Sequence, residues 1–361
     1  MYYLRYFKTQ AEAIGQASNI PTVAMVEGVD KVGYFDGDTS KHYAFAADGN
    51  FIKIEIAKLV CKYNVTSTTS ATQLLYGNYD LSNIASMEVD GVDNMVANTY
   101  KFSTKGKHTV KFTLKDGVTS IGERAFGSCT ELTSITIPDG VTSIEYEAFT
   151  CCSSLTSVVI PNSVTSIGAW AFDRCTALTS VVIPNSVTAL YANTFYSCDS
   201  LTSITIPNSV TALYANTFHS CDSLTSITIP DSVTSIGKSA FGSCTELTSI
   251  TIPDSVTSIG ESAFECCSSL TSITISKGIS KISKRMFYKC GLTSVTIPDS
   301  VTSILEDAFY ECRKLTSISY TGTVAQWKNI FRYQTTYSSW KTAVPATTVT
   351  CSDGICGLDD K

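Results

Sequence analysis

The chain has 361 residues, of which 43% are apolar and 16% charged, and it carries a formal net charge of −6. That length exceeds one ordinary domain and that apolar fraction suffices for a substantial core, so a folded protein is expected. No cluster of Lys or Arg supplies a footprint for nucleic acid or a polybasic membrane patch, and no run approaches the ~18 apolar residues of a membrane span, which excludes both as partners.

The opening MYYLRYFKTQAEAIGQ lacks the continuous apolar stretch of a secretion signal. Residues 1–50 read as an attachment-like segment, with a short helix over residues 9–16 and brief strands in TVAMVEG and DKVGYF. Residues 51–117 read as a small β-sandwich-like domain: Ile52, Ile54 and Ile56 alternate with polar residues, Asp90-Gly91 marks a turn, and TYKFST and HTVKFTL flank Lys105-Gly106. The last ten residues of this region, HTVKFTLKDG, align with half of the unit that follows, which predicts direct continuation into it.

From residue 118 to 320 one unit, VTSIGxxAFxxCxxLTSITIPDS, returns every 23 residues in nine copies, one of them shortened to 22 at Cys290-Gly291-Leu292. Within a copy, Leu132, Ile135 and Ile137 fall on one face of a short strand, and Ser134 and Thr136 on the other. Pro138, which has no N–H, and Asp139-Gly140 end the strand in a turn. Val141 and Ile144 point inward from a second extended piece, and a tight helical turn then brings in Ala148, Phe149 and Cys152. One coil has nothing to bury these side chains against, so stacking creates the core. The fold class is a repeat solenoid with a parallel sheet on one side, nine coils spanning on the order of 40 Å at ~4.8 Å each.

Residues 321–361 read as a C-terminal cap: Thr323-Val324-Ala325-Gln326 has capping-box spacing, Trp327 and Ile330 follow, and Trp340 and a strand over residues 347–351 close the chain.

The motif quoted resembles the BspA-type leucine-rich repeats of bacterial surface proteins, and the GTVAQW…W…TVTCSDG tail resembles the ends of such proteins. The resemblance implies a non-enzymatic protein at the cell surface or outside the cell, adhering to a protein or glycoprotein on a cell, matrix or particle surface. A component of a virus particle is the alternative, since an N-terminal docking module without an export signal suits a virion; an enzyme is the distant third.

Chemistry finds little to stand on. The three histidines, His42, His108 and His219, lie in no H-E-x-x-H, G-x-S-x-G or glycine-rich phosphate pattern, so no catalytic residues, cofactor or metal are expected. The cysteine column from Cys129 to Cys312 offers one thiol per coil along a line, where zinc needs ligands converging on a point; buried small apolar residues are expected. Cys151 and Cys266 lie beside the column, and Cys351 and Cys356 could close a small disulfide in an oxidising compartment. The Asp/Asn turn column, Asp139 to Asp299, reads as turn-closing residues rather than a calcium ladder. Local specificity is expected where copies differ: Trp170, Tyr191, Tyr196, Tyr214 and His219 form the candidate binding patch, with the Ser/Thr sheet face as its rival.

Overall fold

In the computed structural model, residues 57–77, 79–330 and 344–358 are described in full, and residues 23–25, 32–35, 42–45, 51–54 and 331–332 by their backbone alone. The expected helix over residues 9–16 and Trp340 lie outside the described residues.

The chain forms two compact units, Met1–Ala57 and Lys58–Lys361. In the first, β1 (Val23–Met25), β2 (Val32–Phe35), β3 (His42–Phe45) and β4 (Phe51–Ile54) form a four-stranded antiparallel meander. Ile52 and Ile54, expected to open the sandwich-like domain, instead pair with Ala44 and His42 of β3. Alternation identified a strand there but carried no information about its partner.

The second unit begins with β5 (Lys58–Val65), β6 (Thr72–Gln73), β7 (Ile84–Val89), β8 (Val92–Asn94), β9 (Thr99–Tyr100) and β10 (Gly106–Leu114). Where a sandwich was expected, β5, β10, β7 and β8 lie side by side in one sheet, which continues into the first repeat strands. β10 does not stack directly on the first coil: β5 lies between them, antiparallel to β10 and to the repeat strand Leu132–Thr136. The half-repeat pattern of β10 is real, since Phe112 and Leu114 are buried, but an antiparallel strand can pair with both edges it meets, and β5 fills that place. Its alternate residues Leu59, Cys61, Tyr63 and Val65 enter the core, and the Tyr63 hydroxyl donates to the Leu74 carbonyl at 2.7 Å. Glu131 of the first coil fixes this cover: its carboxylate accepts from the Thr66 N–H, the Thr66 hydroxyl and the Thr72 hydroxyl. Burial works against ionisation there, yet those hydrogen bonds prevail and hold the Glu131 carboxyl below its usual range.

Each coil then contributes a strand to a parallel stack from Leu132–Thr136 to Ser317–Tyr320, hydrogen-bonded in three segments that break after Ser203–Thr205 and after Ser249–Thr251, and in register so that Ile135, Val158, Val181 and Ile204 lie side by side. The second extended piece, expected only to point inward, forms parallel ladders too: Ile121 pairs with Ile144 and Ile144 with Ile167. The expected helical turn is instead an arc with two left-handed residues per coil, such as Arg124 (φ 54°) and Ser128 (φ 59°). These let backbone groups alternate in direction. The N–H groups of Arg124, Phe126 and Ser128 donate to Tyr146, Ala148 and Thr150 of the next coil, whereas those of Ala125, Gly127 and Cys129 donate three residues back within their own. Each of these donors is thus satisfied without a helix.

The core is columnar. From Phe126 to Phe309 the phenylalanines stack face to face, centroids 5.2–5.7 Å apart. The cysteine column does more than fill space: Cys221 Sγ donates to the Phe195 carbonyl of the coil before at 3.3 Å, and the same bond recurs from Cys152 to Cys312. A thiol suits this position because it packs as an apolar group and still supplies a weak donor. At the turn column Asp139, Asn162 and their equivalents are exposed; the serine after them carries the bond, as when Ser232 Oγ donates to the Val210 carbonyl at 2.7 Å.

The C-terminal cap extends both ladders. Phe331–Arg332 pairs with Ser303–Ile304, and Thr348–Cys351 pairs with the last repeat strand through Ser319 and Thr350. Between them α1 (Val324–Asn329) carries the expected capping box of Thr323 and Gln326, and buries Trp327 against Tyr320 at a centroid distance of 5.4 Å.

Candidate functional site

Copies four and five read Tyr-Ala-Asn-Thr where most coils have Gly or another small turn residue followed by charged or small groups. The threonine fixes this corner from inside: fully buried Thr194 and Thr217 donate their hydroxyls to the carbonyls of Tyr191 and Tyr214, each at 2.8 Å. Asn193 and Asn216 hold left-handed φ of 59° and 55°, a conformation asparagine tolerates better than most residues. The tyrosine rings point outward, 41% and 45% exposed, with centroids 5.4 Å apart.

A second stack runs beside them. Trp170 meets Tyr196 at 5.9 Å, and Tyr196 stacks on His219 at 5.1 Å with planes 12° apart. All three are half-buried rather than exposed. The left-handed φ of Trp170, 59°, belongs to its column, since the equivalent residue of every coil shares it. The Arg174 guanidinium lies 6.0 Å from the Tyr196 ring centroid. Beyond His219 the column has Gly242, where a Cβ would sit 2.9 Å from the imidazole Cδ2, so glycine leaves room for the ring. Burial lowers the His219 pKa below its usual value. Beside Trp170 and Tyr196, Asp173 is 2% exposed, with one carboxylate oxygen accepting from Thr150 Oγ1 at 3.0 Å and the other lacking a hydrogen-bond partner within the protein. Burial raises its pKa, outweighing the Thr150 bond and the Arg174 charge.

The five sequence-selected residues therefore form two aromatic groups on consecutive coils, Tyr191–Tyr214 and Trp170–Tyr196–His219. The rival sheet face is flat and uncharged: Ser203, Thr205, Ser226 and Thr228 point outward, joined by Val159 and Val182, 56% and 76% exposed. A third aromatic group was missed. Tyr288 and Tyr310 stack at 5.7 Å, with Arg285 4.0 Å over the Tyr288 ring. Their signal was available, since both occupy the column of Tyr196 and His219, one residue past the phenylalanine.

The model described as "BspA type Leucine rich repeat region (6 copies)" matches residues 97–224 and 211–337. The chain belongs to the BspA-type leucine-rich repeat family. A search of the curated proteins found no match. Among solved structures, a leucine-rich repeat protein from Bacteroides ovatus is 26% identical over 62% of this chain and 66% of its own, with a TM-score of 0.49. The leucine-rich repeat protein of T. pallidum is 26% identical over 51% of this chain and 73% of its own, TM-score 0.38. A leucine-rich cell surface protein from Faecalibacterium prausnitzii is 24% identical over 88% of this chain and all of its own, TM-score 0.32. In this chain the regular columns build the scaffold, and its local differences sit where the copies differ. No described helix is long and apolar enough to cross a membrane.

Proposed function

We propose that the protein is a non-enzymatic binding protein of the bacterial cell surface type, presenting the aromatic corner of coils three to five to a protein or glycoprotein partner. The observation that carries this reading is the charge pattern along that corner. In coils one and two it holds Arg124 paired with Glu147, and in coils six to nine Lys238 with Glu261 and Lys284 with Glu306. Between them the same three positions read Gly168-Ala169-Trp170, Tyr191-Ala192-Asn193 and Tyr214-Ala215-Asn216, without a charge. Rings that lose little conformational entropy, flanked by amides at Asn193 and Asn216 and with the Arg174–Asp173 pair at their edge, have the composition of a binding hot spot. Family membership supports a binding role, and the surface location follows the same resemblance.

The test is attachment of labelled protein to immobilised matrix proteins, mucin-type glycoproteins and whole bacterial cells. Tyr191→Ala with Tyr214→Ala should leave the fold intact and weaken attachment by about 1–2 kcal/mol per residue, with little dependence on salt. The matched control is Thr205→Ala with Thr228→Ala on the sheet face. A control that weakens attachment as much as the tyrosine pair would transfer the binding surface to the sheet.

A further inference from the structure

Ten of the 14 cysteines fall into two chemically different sets. From Cys152 onward each column thiol is engaged with the phenylalanine carbonyl of the coil before, at 2.9–3.3 Å. Cys351 and Cys356 have no such anchor. They lie on the two strands of the terminal hairpin, Thr348–Cys351 and Gly354–Gly357, where Val349 pairs with Cys356 and Cys351 with Gly354. That register places the two cysteines diagonally on one face, and their Sγ atoms lie 3.8 Å apart, in van der Waals contact. The next nearest acceptor, the Val349 carbonyl, is 4.0 Å from Cys356 Sγ.

We propose that Cys351 and Cys356 are a modification site, a thiol pair that an external disulfide oxidises to an intrachain disulfide locking the C-terminal cap. The reaction is two thiol–disulfide exchanges. The thiolate of one cysteine attacks a sulfur of a disulfide reagent, glutathione disulfide or an oxidoreductase, breaking that S–S bond and releasing one thiol. The thiolate of the second then attacks the mixed disulfide and releases the other thiol. The pair loses two electrons and two protons, and the external disulfide gains them as two thiols. Closure brings the sulfurs from 3.8 Å to about 2.0 Å by side-chain rotation on a hairpin already in place.

What the bond would lock is the cover of the solenoid's open end. The hairpin's first strand pairs with the last repeat strand through Thr350. Its turn holds the start of α1, with Asp353 Oδ1 accepting the Val324 N–H at 2.7 Å and the Ser352 N–H donating to the Gly322 carbonyl at 2.9 Å. Burial, then the bond to Cys356, pushes the Cys351 thiol up to about 11, so Cys351 itself is little ionised at neutral pH. The locked form belongs to an oxidising compartment, because a reducing cytosol keeps such thiol pairs reduced.

The experiment uses the full chain, purified reduced and equilibrated in glutathione buffers from fully reduced to fully oxidised. It is then quenched with an alkylating agent under denaturing conditions and digested for mass spectrometry. The expected result is a tail peptide lighter by two hydrogens and unalkylated at Cys351 and Cys356, while the column cysteines are fully alkylated. In the Cys351→Ser variant the Cys356 peptide should be alkylated, or carry glutathione. In native protein, the oxidised form should be cleaved by added protease within residues 344–358 several-fold more slowly than the reduced form. Alkylation of both cysteines in fully oxidising buffer, or linkage of either to a column cysteine, would overturn the assignment, as would equal cleavage of the two forms.

Discussion

Phe218 sits in the middle of the phenylalanine column, fully buried, with Phe195 at 5.7 Å and Phe241 at 5.5 Å on its two faces. Phe218→Ala removes a buried ring and leaves a cavity that the regular arcs on either side cannot collapse into, at a cost of about 3–5 kcal/mol. Stacking on both faces is lost as well, at about 0.5–1.5 kcal/mol per pair where such pairs have been isolated. Phe126, at the front of the column, stacks on Phe149 alone within it, so Phe126→Ala should cost less by about one pair term. In a solenoid, stability is a sum of coil and nearest-neighbour interface terms, so the damage should be local. Hydrogen exchange should show protection lost in coils four to six and largely retained in coils one and nine, and urea unfolding should lose its single transition. Uniform loss of protection along the chain, or equal costs for Phe218→Ala and Phe126→Ala, would refute the column as the unit of stability.

Asp173→Asn keeps an acceptor for Thr150 and removes a buried charge. Because burial raises the folded pKa above 3.8, the native state holds that proton more tightly than the unfolded state. The parent should therefore lose stability as pH rises through the interval above 3.8. The variant should be the more stable of the two at pH 7, the gap closing on acidification, and thermal melts from pH 3 to 8 check it. Cys221→Ala removes the donor to the Phe195 carbonyl and a sulfur's volume, and urea unfolding should show a loss of about 1–2 kcal/mol; a variant as stable as the parent would make the thiol mere filler. Deleting residues 323–361 exposes Tyr320 and both ladder ends, so solubility should fall and coil nine should lose hydrogen-exchange protection first.

The columns were legible because a period repeated nine times leaves little doubt about which side chains share an environment: Phe126, Ile135 and Val141 mark three inward positions of every coil. Three features were not legible, each for a physical reason. The place of β5 depends on which strand edge is open, and the alternation of Leu59, Cys61, Tyr63 and Val65 suits any partner. The left-handed pair in each arc is filled by Arg124, Glu147, Trp170 and Arg285 as readily as by Asn193, because coil-to-coil hydrogen bonds rather than residue preference hold that backbone. The thiol bond to phenylalanine was invisible because burial alone already accounts for cysteine. For the candidate site, the sequence located the deviant coils, but the division into two stacks depends on which columns meet across a coil boundary.

The corner of coils four and five is also one of the places where the scaffold departs from its own rule. Glycine recurs there for a steric reason: a Cβ on Gly168 would lie 2.8 Å from backbone atoms of Glu145 and Tyr146, and one on Gly237 2.5 Å from the Tyr214 carbonyl carbon. Tyr191 and Tyr214, like Glu145 and Leu305 in their coils, place a side chain at that position; Leu190 makes only single bridges to Ile167 and Leu213, whereas Ala212–Leu213 keeps a regular parallel pairing with Ser235–Ile236. The buried hydroxyls of Thr194 and Thr217, unique to these two coils, close onto the tyrosine carbonyls and stabilise the altered turn. What sets these two coils apart from those with Glu145 and Leu305 is the combination of an exposed ring and a buried threonine hydroxyl bonded beneath it, which supports the proposal that a surface role sets these residues.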